Sequence, residues 1–131
     1  MTRFLTSYLA AAVVFVALDA IWLHTMGTRL YRASIGHLMR PDFDAVAAAA
    51  FYVLYLAGLV VLVVLPATGA SDALLRGALF GLVAYATYDL TNQATLRDWP
   101  WIVTLADLAW GTFITAVASV AAYAALARLA P

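Results

Sequence analysis

AVAAAAFYVLYLAGLVVLVVL, residues 45–65, runs from Ala45 to Leu65 without one charged side chain, and its only side-chain polar groups are the hydroxyls of Tyr52 and Tyr55. A helix needs about 20 mostly apolar residues to cross a hydrocarbon core about 30 Å thick, and this stretch supplies them. It therefore reads as a membrane-spanning helix. Its ends carry matching signals: Pro41-Asp42 and Asp44 suit a helix start, and Pro66 and Gly69 suit a stop.

Working outward, three further segments have the same character: Phe4 to Leu23, Leu74 to Thr95 and Trp101 to Leu126. Ser71-Asp72 can cap the third span and Pro100 fits the first turn of the fourth. Arg3 before an apolar run suggests a secretory signal peptide, but the run continues through Asp19 to Leu23 with no small-residue cleavage pattern and reads as a retained first span. Short links after the second and third spans predict antiparallel neighbours. The fold expected is all-α, one domain over residues 1–131, an integral membrane bundle of four transmembrane helices.

The link from His24 to Asp44 is longer. It interleaves Arg29, Arg32, His37 and Arg40 with Leu30, Tyr31, Ile35, Leu38 and Met39, which predicts a short amphipathic interfacial helix between the first two spans. Arginines divide almost evenly between the two sides of the membrane. The basic first link tips the orientation towards a cytoplasmic placement of that link, with both termini outside.

Composition agrees. Hydrophobic residues make up 66% of the chain, against roughly 45–50% in a soluble domain, so the lipid bilayer is its first partner. Seven arginines balance seven aspartates, and a formal net charge of zero excludes electrostatic capture of nucleic acid. No cysteine is present, which removes disulfides, thiolate metal sites and thiol redox chemistry. No phosphate loop, catalytic triad order or His-Glu-x-x-His element occurs, and neither a cofactor nor a metal is implied. Gly77-x-x-x-Gly81, Ala118-x-x-x-Ala122 and Ala121-x-x-x-Ala125 permit close helix approach, within one chain or in a homo-oligomer.

Charged groups within a span are costly, at about 2.5–3.5 kcal/mol for a central Asp on insertion scales. Asp19 near the end of the first span, Asp89 near the end of the third and Asp107 near the start of the fourth all fall in one half of the membrane. Tyr52 and Tyr55 share that half. Same-face companions follow three residues on: Trp22 after Asp19, Asn92 after Asp89 and Trp110 after Asp107, while Tyr85 precedes Asp89 by four. Close carboxyls in a low dielectric cannot all ionise, so at least one would carry a proton unless a cation is bound. These nine residues form the candidate ligand or proton site. The competing reading makes the aspartates interhelical glue, hydrogen-bonded to Trp, Tyr and Thr. Trp99 and Trp101 read as interface anchors.

The segments Tyr85-Ala86-Thr87-Tyr88-Asp89-Leu90-Thr91-Asn92, Trp99-Pro100 and Asp107-Leu108-Ala109-Trp110-Gly111 resemble the bacterial family of predicted membrane proteins designated DUF2177 (domain of unknown function). Asp19, Tyr31-Arg32, Ile35-Gly36, Phe51-Tyr52, Tyr55 and Leu65-Pro66-Ala67 extend the likeness over nearly the whole chain. The resemblance implies a small four-span protein of the bacterial inner, or cytoplasmic, membrane and supplies no reaction. Three functions are left in contention. One is binding or transport of a small polar, cationic or amphiphilic ligand with proton exchange. Another is a lipid-modifying enzyme using the aspartates as acid and base, and the last a non-catalytic assembly subunit.

Overall fold

A computed structural model describes residues 1–129, which are helical nearly throughout, with no strand among the described residues. The principal helices are α1 (Thr2–Met26), α2 (Ala45–Leu59, prolonged by a π-helical turn over Val60–Val64), α3 (Ala70–Thr95) and α4 (Trp101–Leu129). Thr2–Leu38, Ala45–Val64 and Trp101–Leu129 are each long and apolar enough to cross a membrane. With 26 residues, α3 is also long enough, but Arg76, Thr87, Asp89, Thr91 and Asn92 dilute its apolar character.

Helix boundaries follow local chemistry. Asp44 caps α2, its side chain accepting from the backbone N–H groups of Val46 (3.1 Å) and Ala47 (3.0 Å). At α3 the expected cap is displaced: Gly69 holds the cap position, and Ser71 and Asp72 lie inside the first turn, two and three residues past it. Asp72 instead accepts from the Thr68 backbone N–H at 3.0 Å and from Arg76 Nε at 2.8 Å. These two donors hold its carboxyl below the usual carboxylate range.

The link after α1 is helical, as its amphipathic pattern predicts, but it continues α1 directly. A π-helical stretch (Gly27–Arg32), a turn of α-helix (Ala33–Ile35) and a 3₁₀ turn (Gly36–Leu38) follow without a break. Leu30, Tyr31 and Ile35 pack against Trp99 and Val103, while Arg29, Arg32 and His37 face outward. Trp99 is therefore a buried residue, not an interface anchor, because this extension covers it. Trp101 stays 60% exposed, as an anchor would.

Around α4 the other helices gather. It is flanked by α1 and α3, and Val60–Val64 packs on all three. Buried residues repeat along α4 at spacings of three and four, from Val103 and Thr104 through Asp107, Gly111, Thr115 and Ala118 to Ala122. They meet a four-residue stripe on each flank: Ser7, Ala11, Phe15 and Asp19 on α1, and Ala73, Gly77, Gly81 and Asp89 on α3. A Cβ on Gly77 would stand 2.7 Å from Ser119 Cβ, and one on Gly81 would stand 2.6 Å from Thr115 Oγ1 and overlap the Gly111 carbonyl. The Gly77/Gly81 and Ala118/Ala122 motifs thus serve packing inside this chain.

Gly111 completes the fit by seating the Tyr85 ring, which any Cβ there would overlap. We expect Gly81→Ala and Gly111→Ala each to lose about 1–3 kcal/mol through forced repacking, read as a lower melting temperature in detergent. Gly58→Ala, whose Cβ would meet Phe80 at 3.4 Å, should keep the parent's stability. Equal melting of all three variants would refute this account of the interface.

Candidate functional site

The three intramembrane aspartates are buried in one half of the bundle, where α1, α3 and α4 meet. Their surroundings differ. Asp19 on α1 is bound from two sides: the Tyr52 hydroxyl donates to Oδ2, and the Trp110 indole N–H donates to Oδ1 at 3.2 Å. Asp107 on α4 accepts the Tyr31 hydroxyl at Oδ1, and Tyr31 in turn accepts the Trp22 indole N–H at 2.9 Å. The Trp22 and Trp110 rings stack, with centroids 4.5 Å apart and planes within 7°.

This arrangement exchanges partners between the two Asp-x-x-Trp elements. The tryptophan that follows Asp107 serves Asp19, and the one that follows Asp19 serves Asp107 through Tyr31. Antiparallel packing of α1 on α4 explains it, since residues three positions further along each helix lie opposite the other helix's carboxyl.

Asp89 on α3 stands apart. It is fully buried and no N–H or hydroxyl group donates to either carboxyl oxygen, but the Asp107 carboxyl lies within hydrogen-bonding reach. The group acting on it most directly is the adjoining carboxyl of Asp107. Asn92, expected to orient this carboxyl, does not bond to it; its side chain lies with Tyr88 instead. Two buried carboxyls side by side cannot both ionise, so Asp89 and Asp107 can tie α3 to α4 only while they share a proton.

Tyr55 and Tyr85, the remaining expected residues, line a cleft. The Tyr55 hydroxyl bonds with Thr115 Oγ1, and its ring meets Tyr85 edge-on at 6.4 Å. Together with Phe51, Ala84, Tyr88 and Asp107 they enclose a space of about 390 Å³. It exists because α2 leans away from α3. The Val60–Val64 end of α2 packs on its neighbours, whereas residues 45–54 are exposed almost all round. The opening therefore lies between α2 and α3, on the flank that faces lipid, and Asp107 stands at its inner end.

Sequence reasoning had not placed Tyr31 in the site, although its position among the apolar residues of a basic link is the signal that marks it. A polar tie at the outer end of α3 was also missed. Gln93 donates to the Trp99 carbonyl at 2.8 Å and accepts from Thr104 at 3.0 Å, and Thr104 accepts the Trp99 indole at 3.1 Å.

Apolar helices of spanning length around a polar cluster define a multi-pass membrane protein. The chain belongs to the DUF2177 family, described as predicted membrane proteins, whose model matches residues 4–124. Comparison with curated proteins and with solved structures gives no match.

The unequal bonding of the carboxyls separates their roles. Asp19→Asn should lose about 1–3 kcal/mol, because an amide N–H₂ replaces an oxygen that accepts a buried donor. Asp89→Asn puts an amide N–H₂ donor where a proton is shared with Asp107 and should match or exceed the parent's melting temperature in detergent. Equal losses in both variants would return Asp89 to a structural role.

Proposed function

We propose that this protein, in the bacterial inner membrane, binds a small cationic or amphiphilic molecule entering sideways from the lipid, and moves it in exchange for protons. The observation that carries the reading is Asp89, a wholly buried carboxyl that no N–H or hydroxyl donor reaches, beside the Asp107 carboxyl, which lines an apolar cleft. Natural proteins seldom leave a buried polar group unpartnered unless it has a function, and intramembrane ionisable residues mark ligand and proton pathways.

The lining suggests what would fit. Phe51, Ala84 and Tyr88 offer apolar and aromatic surface to an alkyl or aryl portion. Tyrosine faces attract a cation by about 0.5–2 kcal/mol, depending on how far it is desolvated, and the Asp107 carboxyl in the lining, with Asp89 buried behind it, favours a positively charged head. Adjoining carboxyls cannot both stay negative in a low dielectric once the cation leaves. A proton taking its place keeps the charge balanced, and this supports coupling of ligand release to proton uptake.

A second reading has its own observation. Asp107 carries a hydrogen-bond donor while Asp89 has none, and unlike surroundings are what divide neighbouring carboxyls into acid and base. Such a pair could modify a lipid that enters the same cleft. A lipid altered between a deletion strain and its parent would favour this enzyme over the transporter.

Dodecylammonium is a direct probe of the first reading. It should bind saturably to the purified protein in nanodiscs, followed by tryptophan fluorescence, and drive proton-coupled flux in proteoliposomes. Asp89→Asn and Asp107→Asn should each weaken binding at least about tenfold, equivalent to about 1.4 kcal/mol. Undiminished binding in both variants would overturn the assignment.

A further inference from the structure

Tyr31 lines one cavity and is hydrogen-bonded to a residue in the wall of another. On one side its hydroxyl is bonded to Asp107, which ends the lipid-facing cleft. On the other, Tyr31 lines a second space of about 540 Å³ with His24, Thr28 and Arg32. The two spaces differ in character. The cleft is walled by aromatic rings and opens between spanning helices, whereas the second space, bounded by the end of α1 and the basic extension, sets imidazole, hydroxyl and guanidinium groups among Leu23 and Met39.

We propose that Tyr31 is the partition between two entrances to the carboxylate site, with the cleft admitting ligand from lipid and the His24/Arg32 vestibule admitting water and protons. This rests on the reading of Asp89 and Asp107 as ligand groups. The ring is held closed at its hydroxyl, which donates to Asp107 and accepts from Trp22, itself fixed by stacking on Trp110. The backbone beneath it is less constrained. Tyr31 lies in the π-helical stretch Gly27–Arg32, and nothing stands within 4 Å of where a Cβ on Gly27 would be. Single π-helical turns are rare and recur at functional sites. Bond exchange at one hydroxyl therefore suffices to open the site: a cation that takes the Asp107 carboxylate displaces the Tyr31 donor, and the freed ring can leave the partition.

Two carbodiimides separate the entrances, because both tag carboxyl groups and only one dissolves in lipid. The full chain in nanodiscs is treated with dicyclohexylcarbodiimide or with a permanently charged trimethylammonium carbodiimide, and tagged aspartates are located by peptide mass spectrometry. Asp98, with a 71% exposed side chain, serves as the internal standard for the charged reagent. The native protein should be tagged at Asp89 or Asp107 by the lipid-soluble reagent only. Tyr31→Ala should raise charged-reagent tagging of Asp107 from background to the level of Asp98, and Tyr31→Phe, which keeps the ring, should remain nearer background.

Trp22→Phe removes the indole that holds the phenol and should give an intermediate rise, which keeps the test decisive if Tyr31→Ala fails to fold. Charged-reagent tagging of the native site at the level of Asp98, or none in either Tyr31→Ala or Trp22→Phe, would overturn the partition. Absence of tagging by the lipid-soluble reagent would instead count against the lateral cleft and the ligand reading itself, so the two failures are distinguishable.

Discussion

Hydrocarbon offers no hydrogen bonds, so every polar group placed in it must be answered from within the protein. That constraint organises this bundle. Asp19 is answered by Tyr52 and Trp110, Asp107 by Tyr31, and Tyr31 by Trp22, which joins α1, α2, α4 and the extension after α1 in one network. Thr87, Thr91 and Thr112 bond back to carbonyls four residues earlier and need no neighbour. Asp89, in the same shell, is answered by no N–H or hydroxyl and only by the neighbouring Asp107 carboxyl, and among the described residues the buried Ser7 hydroxyl also lacks a partner. A chain that satisfies its other intramembrane carboxyls so fully gives the exception its weight.

The network can sit in one half of the membrane because the other half is packed by different means. Towards the far end of the bundle, Gly77 and Gly81 bring α3 onto α4 at a distance that leaves no room for a side chain, and Val60, Val63, Val64, Ala118 and Ala122 are buried there. Contact between small residues supplies dispersion without any charged group, and the Ser119 hydroxyl there donates to the Thr115 carbonyl of its own helix. Close packing at that end also sets the splay at the other. With the Val60–Val64 end of α2 held on three helices and its first residues held chiefly by α1, the space between α2 and α3 widens towards the carboxyls.

Much of this was legible in the sequence, and what was not has a physical cause. Span positions follow from run length, because hydrocarbon thickness sets a minimum that composition alone reveals. The shared depth of Asp19, Asp89 and Asp107 follows from antiparallel topology and needs no coordinates. The exchange of tryptophans between elements needs the rotation of α1 about α4, which residue spacing within one helix does not encode. Tyr31 escaped for a related reason: the basic link reads as a surface helix until its continuity with α1 turns it along α4. Trp99 looked like an anchor because Pro100 and Trp101 beside it mark an interface, and only the covering extension makes it a core residue. Asn92 shows the limit of same-face reasoning, since lying one turn from Asp89 on α3 does not aim its amide at the carboxyl.

The two readings of the carboxyl pair differ in what must happen to Tyr31. An acid and base acting on a lipid need the Asp107–Tyr31 bond to persist, because that bond makes the two carboxyls unequal. A carrier needs it to break, since a cation seated on Asp107 competes with the phenol for the same oxygen. The wide turn at Gly27–Arg32 and the open space beside Gly27 are of no use to a fixed catalytic donor, which is served best by a rigid support. They suit a donor that has to move. On the geometry of that one segment, the balance falls towards a site that opens and closes around its ligand.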